Sequence, residues 1–129
     1  ALAPMHVAPL TQLIAALTGE PVGSHIIVEP NRISAETDFM TLHNEGRVER
    51  RVAFVWHLDE NWQAGDGGEL GLVCPEEGGE HLIPPVFNTL TLLRLHGPAA
   101  TSLHAVLPAL GPGERERFLV TGWFMLRLD

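Results

Sequence analysis

The chain has 129 residues, enough for one domain with a buried core. Its formal net charge is −8 and all eight basic residues are arginine, which excludes the basic footprint of a nucleic-acid binder and the polybasic patch that holds a protein on anionic lipid. No apolar run reaches the roughly 18 residues of a membrane-spanning helix, Ala1–Leu10 lacks the pattern of a signal peptide, and the single cysteine, Cys74, can close no internal disulfide. These features lead to the expectation of a cytoplasmic protein in a reducing setting, with neither nucleic acid nor membrane as partner.

Leu10, Leu13, Ile14 and Leu17 recur at helical spacing. They predict a short amphipathic helix over Pro9–Leu17, stopped by Gly19 and Pro21. After Gly23 the texture changes to short apolar runs broken by Gly, Pro, Asn and Asp about every 8 to 12 residues, the pattern of an all-β sandwich or barrel. The predicted strands are His25–Glu29, Asp38–Asn44, Arg51–Leu58, Glu69–Val73, Glu80–Ile83, Thr89–Leu95, Ser102–Leu107 and Arg117–Leu126. Eight such strands predict a mainly β fold, a double-stranded β-helix or jelly roll, with one short N-terminal helix. Between the third and fourth strands, Glu60–Gln63 reads as a turn of helix and Ala64–Gly68 as a tight turn. In Arg51–Leu58, residues Val52, Phe54, Trp56 and Leu58 share one face, and Arg51, Ala53, Val55 and His57 the other. Arg117–Leu126 is apolar on both faces, as a strand between two packed layers is.

The chemistry starts at Thr41-Leu42-His43-Asn44-Glu45. Residues two apart on a strand point the same way, so His43 and Glu45 project together, with Phe39 and Thr41 before them. An imidazole beside a carboxylate is two-thirds of the set of two histidines and one carboxylate that holds non-haem Fe(II) with open positions. His104, on a late strand, is the best second histidine. Spacing alone does not settle this, because seven histidines are scattered along the chain.

Four further stretches, in order, carry a resemblance. Leu58-Asp59-Glu60-Asn61-Trp62 through Gly67-Gly68-Glu69-Leu70 is similar to an "L-N-x-x-W-x-x-x-x-G-G-x-L" pattern. Val86-Phe87-Asn88-Thr89-Leu90-Thr91-Leu92-Leu93 is similar to "F-N-x-L-x-L-F", His104-Ala105-Val106-Leu107-Pro108 to "H-x-V-x-P", and Arg117 through Phe124 to "R-x-x-x-T-G-W-F". Together with Asp38-Phe39-Met40-Thr41-Leu42-His43, which matches "G-D-F-L-x-x-H", they cover about residues 38 to 127. On these motifs the chain resembles the prolyl-4-hydroxylase-like oxygenases that depend on Fe(II) and 2-oxoglutarate.

The resemblance implies His43, Glu45 and His104 as iron ligands and Arg117 as partner of the distal carboxylate of 2-oxoglutarate, with Thr41 lining the cosubstrate pocket by strand parity. It implies a dioxygenase that takes 2-oxoglutarate and O2 as small-molecule cosubstrates. A protein or small-molecule substrate is hydroxylated, with release of succinate and CO2. Oligomeric state is left open. The family usually has H-x-D; Glu45 is one methylene longer, about 1.5 Å by covalent geometry. A competing register would put Glu36-Thr37-Asp38 at the metal, with Glu36 in place of the first histidine. The alternative function is a jelly-roll relative that binds without turning over; a cupin-like metal protein is a third. The N-terminal helical layer is expected to be short or missing, in a single domain over 1–129.

Other residues read more plainly. Arg115 is the alternative to Arg117, and His96, in a turn before Gly97-Pro98, the alternative to His104. His57 reads as structural or surface, and His6, His25 and His81 as surface. Trp62 packs its loop, Trp123 and Phe124 belong to the core, and Gly67-Gly68 is a backbone turn. Asp59, Glu60 and Asp66 lack the spacing of a calcium loop. Cys74 has no basic neighbour to make it a nucleophile.

Overall fold

The apolar runs of the sequence become one helix and eight strands. In chain order these are α1 (Pro4–Thr18), β1 (Val22–Ser34), β2 (Met40–His43), β3 (Arg50–His57), β4 (Leu70–Cys74), β5 (Gly79–Ile83), β6 (Thr89–Arg94), β7 (Leu103–Val106) and β8 (Glu116–Leu126). The computed structural model describes residues 4–34, 40–43, 47–74, 78–97, 103–106 and 116–128, with backbone only for 4–7, 33–34, 40–43, 74 and 103–106. Two four-stranded sheets form, in the orders β1-β8-β3-β6 and β2-β7-β4-β5, and every pairing is antiparallel. Two such sheets make the jelly roll expected from the strand count.

β3 and β8 are the central strands of the first sheet and bury residues on both faces, which is why their sequences are nearly continuous in apolar residues, although Trp56 and Phe118 stay exposed on the outer face. Towards the second sheet they present Ala53, Val55 and Leu119, packed with Leu93, Leu70 and Leu72 and with the partly buried Trp123. On the outer face Val52, Phe54 and Phe124 pack with Val22 and with Ile14 of α1. The rings of Phe54 and Phe124 lie 5.3 Å apart at 53°, the tilted arrangement that aromatic pairs prefer.

The helix exists as predicted but docks on a shifted face. Ile14 is fully buried and Thr11 nearly so, with Leu10 and Ala15 beside them, whereas Leu13 and Leu17 are exposed. Among the described residues, the side of α1 that packs on the sheet runs through Leu10, Thr11, Ile14 and Ala15. Burial of Ile14 alone contributes about 2 to 3 kcal/mol. Gly19 ends the helix with φ of 71°, its N–H donating to the Ala15 carbonyl at 2.8 Å, as glycine does at helix C-termini.

Bounds differ from the sequence reading: α1 begins at Pro4 rather than Pro9, and β1 at Val22 rather than His25. β1 continues through Pro30 and Asn31 to Ser34. It is an edge strand, where a residue without an N–H loses no ladder bond on its open side. The expected turn of helix at Glu60–Gln63 is an open turn instead, with Asn61 at φ of 62°. A left-handed residue cannot continue a right-handed helix.

Candidate active site

The pairing of β2 with β7 makes His43 and His104 direct cross-strand partners. Cα atoms of such partners lie about 4.5 to 5.5 Å apart. The row continues across the sheet from His104 to Leu72 and from Leu72 to His81. Leu72 belongs to the core between the sheets. Strand pairing therefore brings together two histidines that are 61 positions apart in the chain, by subtraction of their numbers. The register shifts between Met40 and His43, so simple alternation does not carry through Thr41, and its face is not given by parity with His43. Glu45, the rival Glu36 and Asp38, and Arg115 lie outside the described residues. Among the described residues no group of three His, Cys, Asp or Glu converges on one point.

On its inner face the first sheet carries Arg117 and His57. Arg117 alternates with Leu119 on the inner face of β8 and is 5% exposed. Its Nη2 donates to the Asp66 carbonyl at 3.1 Å, and its Nη1 lies 3.9 Å from Asp59 Oδ2. Its Nε is buried with no partner among the described residues. A buried guanidinium so loosely paired is costly unless an anion completes its shell.

The loop from Asp59 to Gly68 is shaped around that cation. Asp59 Oδ1 accepts the backbone N–H of Phe118 at 2.8 Å, which pins the start of the loop to β8. Trp62 Nε1 donates to the Gly67 carbonyl at 2.9 Å, which ties the loop across itself. Gly68, at φ of 77°, brings its backbone against Arg117, where a Cβ would stand 3.1 Å from Nε. The double glycine is thus a close backbone approach to the arginine.

Of the two readings of His57, structural and surface, burial leaves the structural one. It is 3% exposed, on the inner face with Ala53 and Val55, opposite Leu119 on one side and Thr89 on the other. Its Nε2 is buried without a partner among the described residues. Burial lowers its pKa below the ordinary 6.5; Asp59 opposes that by raising it, and the Arg117 charge adds to the lowering. The signal was present in the strand parity, since His57 follows Ala53 and Val55 on one face. What parity could not show was that this face is the dry one with Arg117 on it.

The remaining histidines fall elsewhere. The ring Nε2 of His96 is 2.8 Å from the Arg50 carbonyl and 3.2 Å from that of Arg47, so it ties the end of β6 to the start of β3. His25 and His81 are exposed, as predicted.

The site pairs two histidine positions across strands and, in the core between the sheets, holds an under-paired arginine; histidine suits a divalent metal and arginine a carboxylate cosubstrate. Comparison with known proteins agrees. The sequence profile of the 2OG-Fe(II) oxygenase superfamily matches residues 31–125. The chain is 30% identical over 93 residues to prolyl 3-hydroxylase OGFOD1 of Xenopus laevis, covering 68% of this chain and 17% of that protein. Its fold superposes on a Pseudomonas putida prolyl-4-hydroxylase with a TM-score of 0.74 and 29% identity, over 95% of this chain and 64% of the other. A prolyl 4-hydroxylase from Phytophthora capsici gives 0.68 and 25%, over 92% and 39%. The chain thus spans under two thirds of the length of each. With its motifs, jelly-roll topology and profile match in agreement, the chain belongs to the 2OG-Fe(II) oxygenase superfamily, whose members use Fe(II) and 2-oxoglutarate.

Proposed function

We propose that the chain forms the catalytic core of a dioxygenase that hydroxylates a peptidyl, prolyl-like side chain or a small molecule. The observation that carries this reading is the direct cross-strand pairing of His43 with His104, in the sheet that packs against the buried Arg117 strand. His43, His104 and Glu45 would hold the metal. When bound, ferrous iron supplies the redox chemistry by which O2 oxidises 2-oxoglutarate to succinate and CO2, one oxygen atom entering the succinate carboxylate and the other the substrate C–H bond as hydroxyl. Arg117 binds the distal carboxylate, for which its planar fork is suited. Asp66 and Gly68 hold that guanidinium in place. Val55, Leu72 and Leu119 keep water from the space between. Thr41 is kept as a lining residue of the cosubstrate pocket. The prolyl-like substrate rests on the names of the relatives above.

The test is an anaerobic titration with Fe(II) and 2-oxoglutarate, followed by admission of O2 and assay of succinate. The expected result is metal-dependent binding of 2-oxoglutarate and succinate formation that rises with a proline-containing peptide. Absence of metal-dependent binding overturns the reading. Binding without turnover favours the alternative, a jelly-roll binding module, for which the longer carboxylate of Glu45 is the motivating feature.

A further inference from the structure

We infer that Asn31, on the inner face of the edge strand β1, is a specificity-determining residue that receives a cationic side chain flanking the target residue of a peptide substrate, with the Glu29 carboxylate beside it. This rests on the function proposed above and adds a charge preference that no sequence motif marks. Three observations carry it. First, Asn31 pairs with Leu119 and Glu29 with Thr121, and directly opposed residues share a face. Leu119 belongs to the core between the sheets, so Asn31, Glu29 and Thr121 lie on the inner side. The packing thins towards this edge: Leu119 is buried, Asn31 and Thr121 are half-buried, and Glu29 is exposed. Secondly, the Asn31 amide is fixed in orientation. Its Nδ2 donates to the Glu29 carbonyl and to Thr121 Oγ1, both at 2.8 Å. A carbonyl only accepts, so the nitrogen must face it. Oδ1 is thereby turned away from both as an acceptor with no partner among the described residues. Thirdly, the negative charge of Glu29 is not neutralised. Among the described residues it makes no ion pair, and the arginines of the first sheet are engaged elsewhere. Arg51 and Arg94 are held by Glu20, Arg32 by Glu116 and Arg117 by the Asp66 carbonyl, while Arg50 lies 3.7 Å over the Trp123 ring.

The position suits substrate rather than scaffold. β1 ends at Ser34 and β2 begins at Met40, so this edge leads into the strand of His43. Leu119, opposite Asn31, is two residues from Arg117 along β8. With Nδ2 already committed, the free groups here are acceptors: the Asn31 amide oxygen and the Glu29 carboxylate. A ligand must therefore bring N–H donors, and the carboxylate favours a charged one, the ammonium of lysine or the guanidinium of arginine. An acidic flank would meet like charge. The net charge of −8 draws the same kind of segment from a distance.

The experiment measures, without oxygen, the binding of two proline-containing peptides to the full chain loaded with Mn(II) and 2-oxoglutarate. The peptides are identical except that lysines flank the proline in one and norleucines, their uncharged counterparts, in the other. The wild type should bind the lysine peptide about tenfold more tightly, the range for hydrogen bonds to a charged group. Asn31→Leu should remove most of that preference, and Asn31→Asp, which keeps an acceptor, should retain it. Glu29→Gln should lower the preference about threefold, as for an exposed ion pair. Glu80→Gln, the same change of net charge at an exposed position of β5, should not alter it. A wild type that binds 2-oxoglutarate but shows no preference, or binds neither peptide, overturns the inference. So does a preference that survives both Asn31→Leu and Glu29→Gln, and so does an equal fall in Glu29→Gln and Glu80→Gln, which would assign it to net charge alone. If Asn31→Leu does not fold, the comparison of Glu29→Gln with Glu80→Gln decides, since both positions are exposed. Failure of the wild type to bind 2-oxoglutarate at all is a different result, since it overturns the proposed function itself and this inference with it.

Discussion

At the scale of single residues, the arrangement around Arg117 shows how backbone shape sets up a side chain. Gly68 is needed twice, for its positive φ and for the space a Cβ would take from the arginine. Gly65 shares the first requirement, with φ of 96°, but a Cβ there meets nothing. The pair therefore separates strain from contact. Gly65→Ala and Gly68→Ala should each cost about 1 to 2 kcal/mol of stability for the left-handed backbone. Only Gly68→Ala should also weaken 2-oxoglutarate binding, by displacing the guanidinium. Urea denaturation read beside ligand titration for both variants checks this, and equal effects on binding would refute the contact.

At the scale of elements, β8 binds the layers together. It is the strand that pairs with both β1 and β3, and it sends Leu119 to one core and Phe124 to the other. Gly122, within the motif that carries the resemblance, serves this packing. A Cβ there would overlap the Ile27 carbonyl oxygen of β1 and stand 2.7 Å from the Phe54 ring. Gly122→Ala should therefore destabilise by about 3 kcal/mol through overpacking. Adding Phe54→Leu should not restore the loss, because the backbone carbonyl of β1 remains. A rescued urea midpoint in the double variant would show that the ring alone was at fault. The same element-scale logic explains α1: its apolar residues were legible, but which of them meet the sheet depended on the tilt of the docked helix.

At the scale of the whole molecule, His57 makes stability depend on pH. Its folded pKa is depressed, mainly by burial, with Asp59 opposing and Arg117 reinforcing. As pH falls below the ordinary 6.5, the unfolded chain takes up a proton that the native state refuses, so native stability declines until the folded value is passed and then levels off. The sign is thus greater stability above 6.5 and loss on acidification. His57→Gln should remove this part of the loss, seen as a smaller fall in urea midpoint between about pH 7 and about pH 5 than in wild type. An unchanged fall would mean that other groups carry the acid sensitivity.

The sequence by itself determined the number and order of the strands, the apolar character of both faces of β8, the division of β3 into two faces, and the motifs that mark Arg117 and the two histidines. Those are local quantities: an alternation of period two, a breaker between runs, a short string of residues. Only the tertiary structure decided that His43 stands beside His104, because register is a relation between strands far apart in the chain. It also decided that Gly68 closes on Arg117 and that His57 is buried beside it. A strand's parity divides its residues between two faces, but which face is dry depends on the layer packed against it, and that layer is supplied by β4 and its neighbours, not by β3 itself.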